Sequence, residues 1–255
     1  MASVTFLGTG PGNVIPGRFQ SSILLELGGG LILLDAGEPC SGQLTNLGVP
    51  LADLDAVWIT HGHSDHVGGL PLLLQASWLH GRTRALPLGL PAHLIEPLHA
   101  WLRAVFLPSL PYELETFSWL EGEAVAFGDL TITPHPTTHL DRIRETLGDP
   151  LIECFLFDIR HPQRRVVYSG DLGAASDLEP VLKDPIDLLI CELAHLSLDD
   201  LIAELAGAKI GTLCLTHVSS DLGEESRGAI KMRCERELRG VDEVYLAEDG
   251  ERVEF

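Results

Sequence analysis

The segment Thr60-His61-Gly62-His63-Ser64-Asp65-His66 constrains this chain more than any other stretch. Three imidazoles and one carboxylate fall between positions 61 and 66. An apolar run, Ala56–Thr60, precedes them. Leu70, Leu73, Leu74 and Trp78 follow at helical spacing. A strand should therefore end where the histidines begin, and a helix should start near Asp65 or His66 and run toward Leu79. In an extended turn His61 and His63 point the same way, while Asp65 and His66 turn toward a second point. Imidazole nitrogens and carboxylate oxygens bind zinc at about 2 Å, and catalytic sites keep one position open for water. Four such donors on one short loop suit two adjacent ions better than one closed tetrahedron.

The rest of the chain is β-rich in both halves. Strands are predicted at Val4–Leu7, Ser22–Leu27, Leu31–Asp35, Ala56–Thr60 and Leu86–Gly89, with a hairpin turn at Gly28-Gly29-Gly30 and a helix over Pro91–Phe106. The second half restarts the rhythm. Strands are predicted at Glu113–Phe117, Ala124–Phe127, Leu130–Pro134, Ile152–Asp158, Val166–Ser169, Leu188–Cys191, Thr212–Thr216 and Glu243–Ala247. Helices are predicted at Asp177–Leu182, Leu198–Leu205 and Glu224–Leu238. Prolines punctuate turns at 81–91 and 107–112. Two β-rich halves, each passing into strand–helix alternation, predict an α/β protein: a four-layer αββα sandwich in a single domain, 1–255.

Composition narrows the partners. Seventeen basic residues stand against 37 acidic ones, for a net charge of −20. Binding long nucleic acid draws on Lys and Arg to neutralise phosphates, and this field opposes it. The five cysteines form no C-x-x-C pair, which fits free thiols in a reducing cytoplasm. No secretory signal or membrane-spanning run is visible, so the expectation is a cytoplasmic protein with no membrane partner.

Further ligand candidates stand where strands give way to polar loops: His139 after Leu130–Pro134, Asp171 after Val166–Ser169, and His217 after Leu213–Thr216. The motif H-x-H-x-D-H at 61–66, followed in order by His139, Asp171 and His217, resembles the metallo-β-lactamase superfamily along almost the whole chain. That resemblance implies two metal ions. His61, His63 and His139 would hold the first, Asp65, His66 and His217 the second, and Asp171 would bridge both. Asp35 would support the His loop by hydrogen bonds. A histidine at 63, where the diiron branch carries Glu, favours zinc over Mn²⁺ or Fe²⁺.

Phe6-Leu7-Gly8-Thr9-Gly10, Asp35-Ala36-Gly37-Glu38 and Leu215-Thr216-His217-Val218-Ser219 resemble the ribonuclease Z-like branch, whose members mostly cleave phosphodiesters. The branch's His-Ser-Thr block has a partial match in His195-Leu196-Ser197. His195 would then assist the leaving oxygen, with Glu192 orienting it. The tRNA-processing enzymes carry a long arm, in the common bacterial form between the third ligand and the bridging Asp. Here Asp171 follows His139 by only 32 positions, and most of that interval reads as two strands. With the acidic surface, this points away from pre-tRNA and toward a small phosphodiester such as a cyclic nucleotide. The alternatives are an acyl hydrolase acting on a thioester or lactone, and a non-catalytic metal-containing carrier. Similar proteins also imply a homodimer.

His135 reads as a pocket residue or a support for the ligands. Arg142 and Arg144 read as phosphate contacts or surface ion pairs. Residues 109–119, with Tyr112, Phe117 and Trp119, read as a lid or as packing against the second sheet. His80, His93, His99 and His161 read as solvated.

Overall fold

The computed structural model describes residues 2–107, 109–219 and 224–255, without the side chains of Glu224 and Glu225. Met1, and Pro108 within the turn predicted at 107–112, lie outside the described residues. The chain forms two compact units. The first runs to Trp119 and includes Leu151–Glu153 and Glu248–Glu254. The second comprises Leu120–Pro150, Cys154–Ala247 and Phe255.

The first unit is built on a seven-stranded mixed sheet. The terminal strand Arg252–Glu254 comes first, then β1 (Ser3–Gly8), β2 (Ser22–Leu27), β3 (Gly30–Leu34), β4 (Ala56–Trp58), β5 (Leu86–Leu90) and β6 (Leu114–Ser118). The pairings as far as β3 are antiparallel and those from β3 to β6 are parallel. A parallel neighbour needs a crossover, and helices supply it. They are α1 (Cys40–Asn46) before β4, α2 (Ser64–Val67) and α3 (Leu70–Leu79) before β5, and α4 (Ala92–Ala104) before β6. Leu7, Leu24, Leu33, Val57, Leu73, Leu74 and Leu88 form the core between sheet and helices. Each such side chain removed from water contributes roughly 1.5–3 kcal/mol.

The single helix predicted from Asp65 to Leu79 is broken at Gly68-Gly69, where the Gly69 amide bonds to the Ala36 carbonyl at 2.8 Å. Glycine is a poor helix former, so the chain leaves the helix there to join the turn after β3. Residues 109–119 belong to the first unit, where Tyr112 joins the core and Leu110 and Leu114 pack against it. Tyr112 and Trp119 are buried, Trp119 Nε1 donates to the Ile59 carbonyl at 3.1 Å, and Tyr112 donates its hydroxyl to the Leu74 carbonyl at 2.9 Å.

The second unit repeats the design. Its sheet holds β7 (Val125–Phe127), β8 (Leu130–Pro136), β9 (Phe155–His161), β10 (Arg164–Tyr168), β11 (Ile186–Leu193), β12 (Ile210–Val218) and β13 (Val241–Leu246) in sequence order. Pairings up to β10 are antiparallel and those from β10 to β13 are parallel, as in the first sheet. The helices are α5 (Asp141–Leu147), α6 (Leu198–Glu204) and α7 (Glu224–Glu237). Leu156, Val167, Leu189, Leu201, Leu213 and Leu215 belong to its core. The helix predicted at Asp177–Leu182 is a 3-10 turn, Ala175–Val181, with Pro180 inside. Proline removes the amide that an α-helix would need there. Among the described residues no helix is long and apolar enough to cross a membrane.

Candidate functional site

Parallel strands deliver their functional loops at their carboxyl ends, and the loops of Asp35, the His motif, Asp171 and His217 obey this rule, while His139 follows an antiparallel strand. In the first unit Asp35 stands directly after β3 and the His loop begins just beyond β4. Asp35 is fully buried at a φ of 56°, a left-handed conformation that aspartate tolerates better than most residues. Its carboxylate accepts the Thr60 amide at 2.8 Å and the Thr60 hydroxyl at 2.9 Å, and His66 Nδ1 lies 2.7 Å away. A carboxylate only accepts, so His66 carries a proton on Nδ1, and in the neutral ring its Nε2 is bare. Thr60 gives its one hydroxyl proton to Asp35. Its oxygen, 3.0 Å from His61 Nδ1, must therefore accept from that ring, and in the neutral ring His61 Nε2 is bare as well. One carboxylate thus fixes two tautomers, the usual duty of a group standing behind metal ligands.

The turn after β3 and the His loop are also joined through the backbone. The Ala36 amide donates to the His66 carbonyl at 2.7 Å. A β-carbon on Gly37 would lie 2.2 Å from the Asp65 carbonyl oxygen, so only glycine fits between them. His93, read from the sequence as solvated, is half-buried and lies beside Gly62 of the loop.

In the second unit three strand ends contribute. His139 sits in the 3-10 turn Thr138–Leu140 beyond β8, Asp171 lies beyond β10, and His217 lies near the end of β12. The β11–β12 register shifts between the pairs Glu192↔Thr216 and Leu193↔Val218, which makes His217 the extra residue of a bulge. Its φ is 50°. Bulges of this kind re-aim a side chain. His195 is 38% exposed, and its Nδ1 lies 3.3 Å from the buried Glu192. Glu192 also accepts the amides of Leu172, Ala194 and His195 at 3.2, 2.6 and 3.0 Å.

The donor set fits divalent metal. Two ligands on a tetrahedral ion with bonds of about 2 Å stand roughly 3.3 Å apart. His61 Nε2 and His63 Nδ1 are 3.0 Å apart, and Asp65 Oδ2 and His66 Nε2 are 3.5 Å apart. In the second unit Asp171 Oδ2 lies 3.5 Å from His139 Nε2, while its Oδ1 lies 3.6 Å from His217 Nε2. Asp171 therefore turns one oxygen to each histidine, as a bridging carboxylate would. His195 Nδ1 is 3.8 Å from Asp171, and the His195 ring lies 4.5 Å from that of His139 and 5.8 Å from that of His217.

His135 shares the face of the second sheet that carries Leu156, Asp158 and Arg165, and burial lowers its pKa. Arg144 pairs with Asp141 at 2.5 Å, and Arg142 is exposed. His80 is exposed, as read. The sequence reading missed Thr60 as the link between Asp35 and His61. It also missed Asp177, which accepts four bonds from the loops around His139 and Asp171. The one hint in the sequence was its place at the start of a predicted helix.

Comparison with known proteins identifies the family. The family described as "Beta-lactamase superfamily domain" matches residues 31–218. Ribonuclease Z of Pseudomonas putida (strain W619) is 40% identical over 312 positions, covering 97% of this chain and 94% of that protein. Ribonuclease Z of Clostridium novyi (strain NT) is 39% identical over 114 residues, so the chain matches 45% of its own length to only 36% of that relative. The metallo-beta-lactamase fold protein YhfI from Bacillus subtilis superposes with a TM-score of 0.80 at 23% identity, over 99% of this chain and 98% of that one. The chain belongs to the β-lactamase superfamily, as a ribonuclease Z-like member with the metallo-β-lactamase fold.

Proposed function

We propose that this protein is a dinuclear zinc phosphodiesterase that acts on a small phosphodiester such as a cyclic nucleotide. The observation that carries the reading is the set of donor pairs 3.0 to 3.6 Å apart, with the second nitrogens of His61 and His66 already held. His61, His63 and His139 would hold one ion, Asp65, His66 and His217 the other, and Asp171 would serve both. Bound divalent ions make a nucleophile from water at neutral pH and offset charge on phosphoryl oxygens. Asp65 orients the attacking water, and His195, steadied by Glu192, protonates the leaving oxygen.

Three features favour a small substrate. The net charge of −20 repels polyanions. The interval from His139 to Asp171 is occupied by α5, β9 and β10, with no room for an arm. The Pseudomonas putida alignment runs over 312 positions against 255 residues in this chain, so at least 57 positions of that relative have no counterpart here. The family match covers residues of both units, which supports the single-domain reading, 1–255. The five buried free cysteines support a cytoplasmic setting. The exposed Leu72, Trp78 and Leu79 on α3 and Trp101 on α4 support a homodimer, which sizing would test.

Metal analysis paired with hydrolysis of bis(p-nitrophenyl) phosphate, with and without chelator, tests the function. About two zinc ions per chain and chelator-sensitive turnover are expected. Asp65→Ala should abolish turnover, and near-normal activity in that variant would sink the assignment. Faster turnover of thioester or lactone substrates would move the protein to acyl hydrolysis. Tightly held metal with no turnover of any substrate would make it a carrier.

A further inference from the structure

We infer that Asp177 is a positioning residue that clamps the loops of His139 and Asp171 into one ligand frame. The inference rests on the proposed metal reading. Asp177 is 8% exposed and stands outside the candidate ligand set. Its Oδ2 accepts the amides of Gly173, Ala174 and Thr138 at 2.9, 3.2 and 3.0 Å. The Thr138 hydroxyl is 3.1 Å from both carboxylate oxygens. Gly173 and Ala174 lie two and three residues after Asp171, and Thr138 directly precedes His139. One carboxylate therefore holds the backbone on both sides of the ligand pair.

The backbone reports the same clamp independently. A β-carbon on Gly173 would lie 2.3 Å from Thr138 Oγ1, 2.4 Å from the Thr138 carbonyl carbon and 2.7 Å from the His139 amide. The two loops thus touch main chain to main chain, at a spacing only glycine allows. Thr137 completes the seam, its hydroxyl donating to the Asp171 carbonyl at 2.8 Å.

A simpler role accounts for part of this. Asp177 sits in the first turn of the 3-10 segment Ala175–Val181, and its bond to the Ala174 amide is an ordinary cap. A cap does not require Thr138, 39 residues away in sequence. The bonds to Thr138 are what join the cap to the histidine loop. With the charge of Asp177 gone, the seam keeps the Thr137 bond but loses its main acceptor, and Asp171 and His139 are free to drift apart.

The test is zinc affinity of the full-length protein, measured by titration against a chromogenic chelator, with thermal stability read alongside. Asp177→Ala should weaken zinc binding by roughly 10–100-fold, the usual loss for groups that orient ligands. Asp177→Asn, which keeps one accepting oxygen, should fall between that variant and the parent. Thr138→Val should show a smaller loss, because only the hydroxyl bond goes. Asp55→Ala is the control for general destabilisation. Asp55 accepts the Leu31 amide and pairs with Arg84 in the first unit, so its loss should lower the melting temperature and leave zinc affinity unchanged. Zinc affinity within twofold of the parent in Asp177→Ala overturns the inference. Should that variant fail to fold, unchanged affinity in both Asp177→Asn and Thr138→Val does so. A parent protein that takes up no zinc overturns the metal reading itself, an outcome distinct from either.

Discussion

The two units share one strand pattern and assemble their candidate ligands in opposite ways. In the first, four donors lie between positions 61 and 66 on one loop, and a single buried carboxylate, Asp35, stands behind them. In the second, the donors His139, Asp171 and His217 come from three strand ends, and two carboxylates, Asp177 and Glu192, hold the loops between them. Asp35 and Asp171 occupy matching places, each just beyond the strand where antiparallel pairing gives way to parallel. One supports histidines and the other turns an oxygen to each of two. A contiguous loop needs one anchor because its donors move together, whereas dispersed donors need a tie for every gap.

That contrast makes Asp35→Ala the most damaging single change away from the ligands. It orphans the buried Thr60 amide and hydroxyl, at about 1–3 kcal/mol for each unsatisfied group. It also frees the His61 and His66 rings together, so zinc affinity should fall by at least the roughly 100-fold at the upper end for such supports. Urea denaturation and a zinc titration would measure the two effects. Glu192→Ala should do less, about tenfold in zinc affinity, because Thr137 and Asp177 still hold the Asp171 loop. If Glu192→Ala proves the more damaging, the idea that a contiguous loop hangs on one anchor is broken.

The smallest effect concerns which unit opens first. Burial pushes the thiol of Cys40, in the first unit, up to about 12, and that of Cys234, in the second, up to about 11, from an ordinary 9.0. Both folded values are raised, so both thiols contribute stability that is whole below pH 9.0 and is lost as pH climbs through 11 and then 12. The melting temperature should therefore decline above about pH 9. Cys40→Ala and Cys234→Ala should each flatten the decline from about pH 9 upward, Cys234→Ala as far as about 11 and Cys40→Ala as far as about 12. Mass-spectrometric alkylation at pH 8 should label both residues slowly, and unequal rates would rank the opening of the two units.

Much of this was legible in the residues alone. The His loop announced itself because its donors are neighbours in sequence and sit at a strand–helix junction, where local geometry dictates direction. The repeat of the strand pattern was visible because alternating and continuous apolar runs report burial directly. His139, Asp171 and His217 stand out only as strand-end residues; the family resemblance, not their spacing, made them a set. The short helices α1 and α5 went unseen. The first buries only Cys40, Ser41 and Leu44 and the second buries nothing, so neither carries a periodic apolar stripe.

The sequence by itself determined the α/β class, the two β-rich halves and the chemical nature of the donors, because apolar periodicity and side-chain type are local properties. Only the tertiary structure decided how the donors are held. Asp177 reaches Thr138 across 39 residues, Glu192 reaches the Leu172 amide across 20, and His217 turns on a bulge that exists only against β11. Hydrogen bonds between distant segments depend on where the backbone has folded, and no local pattern encodes that.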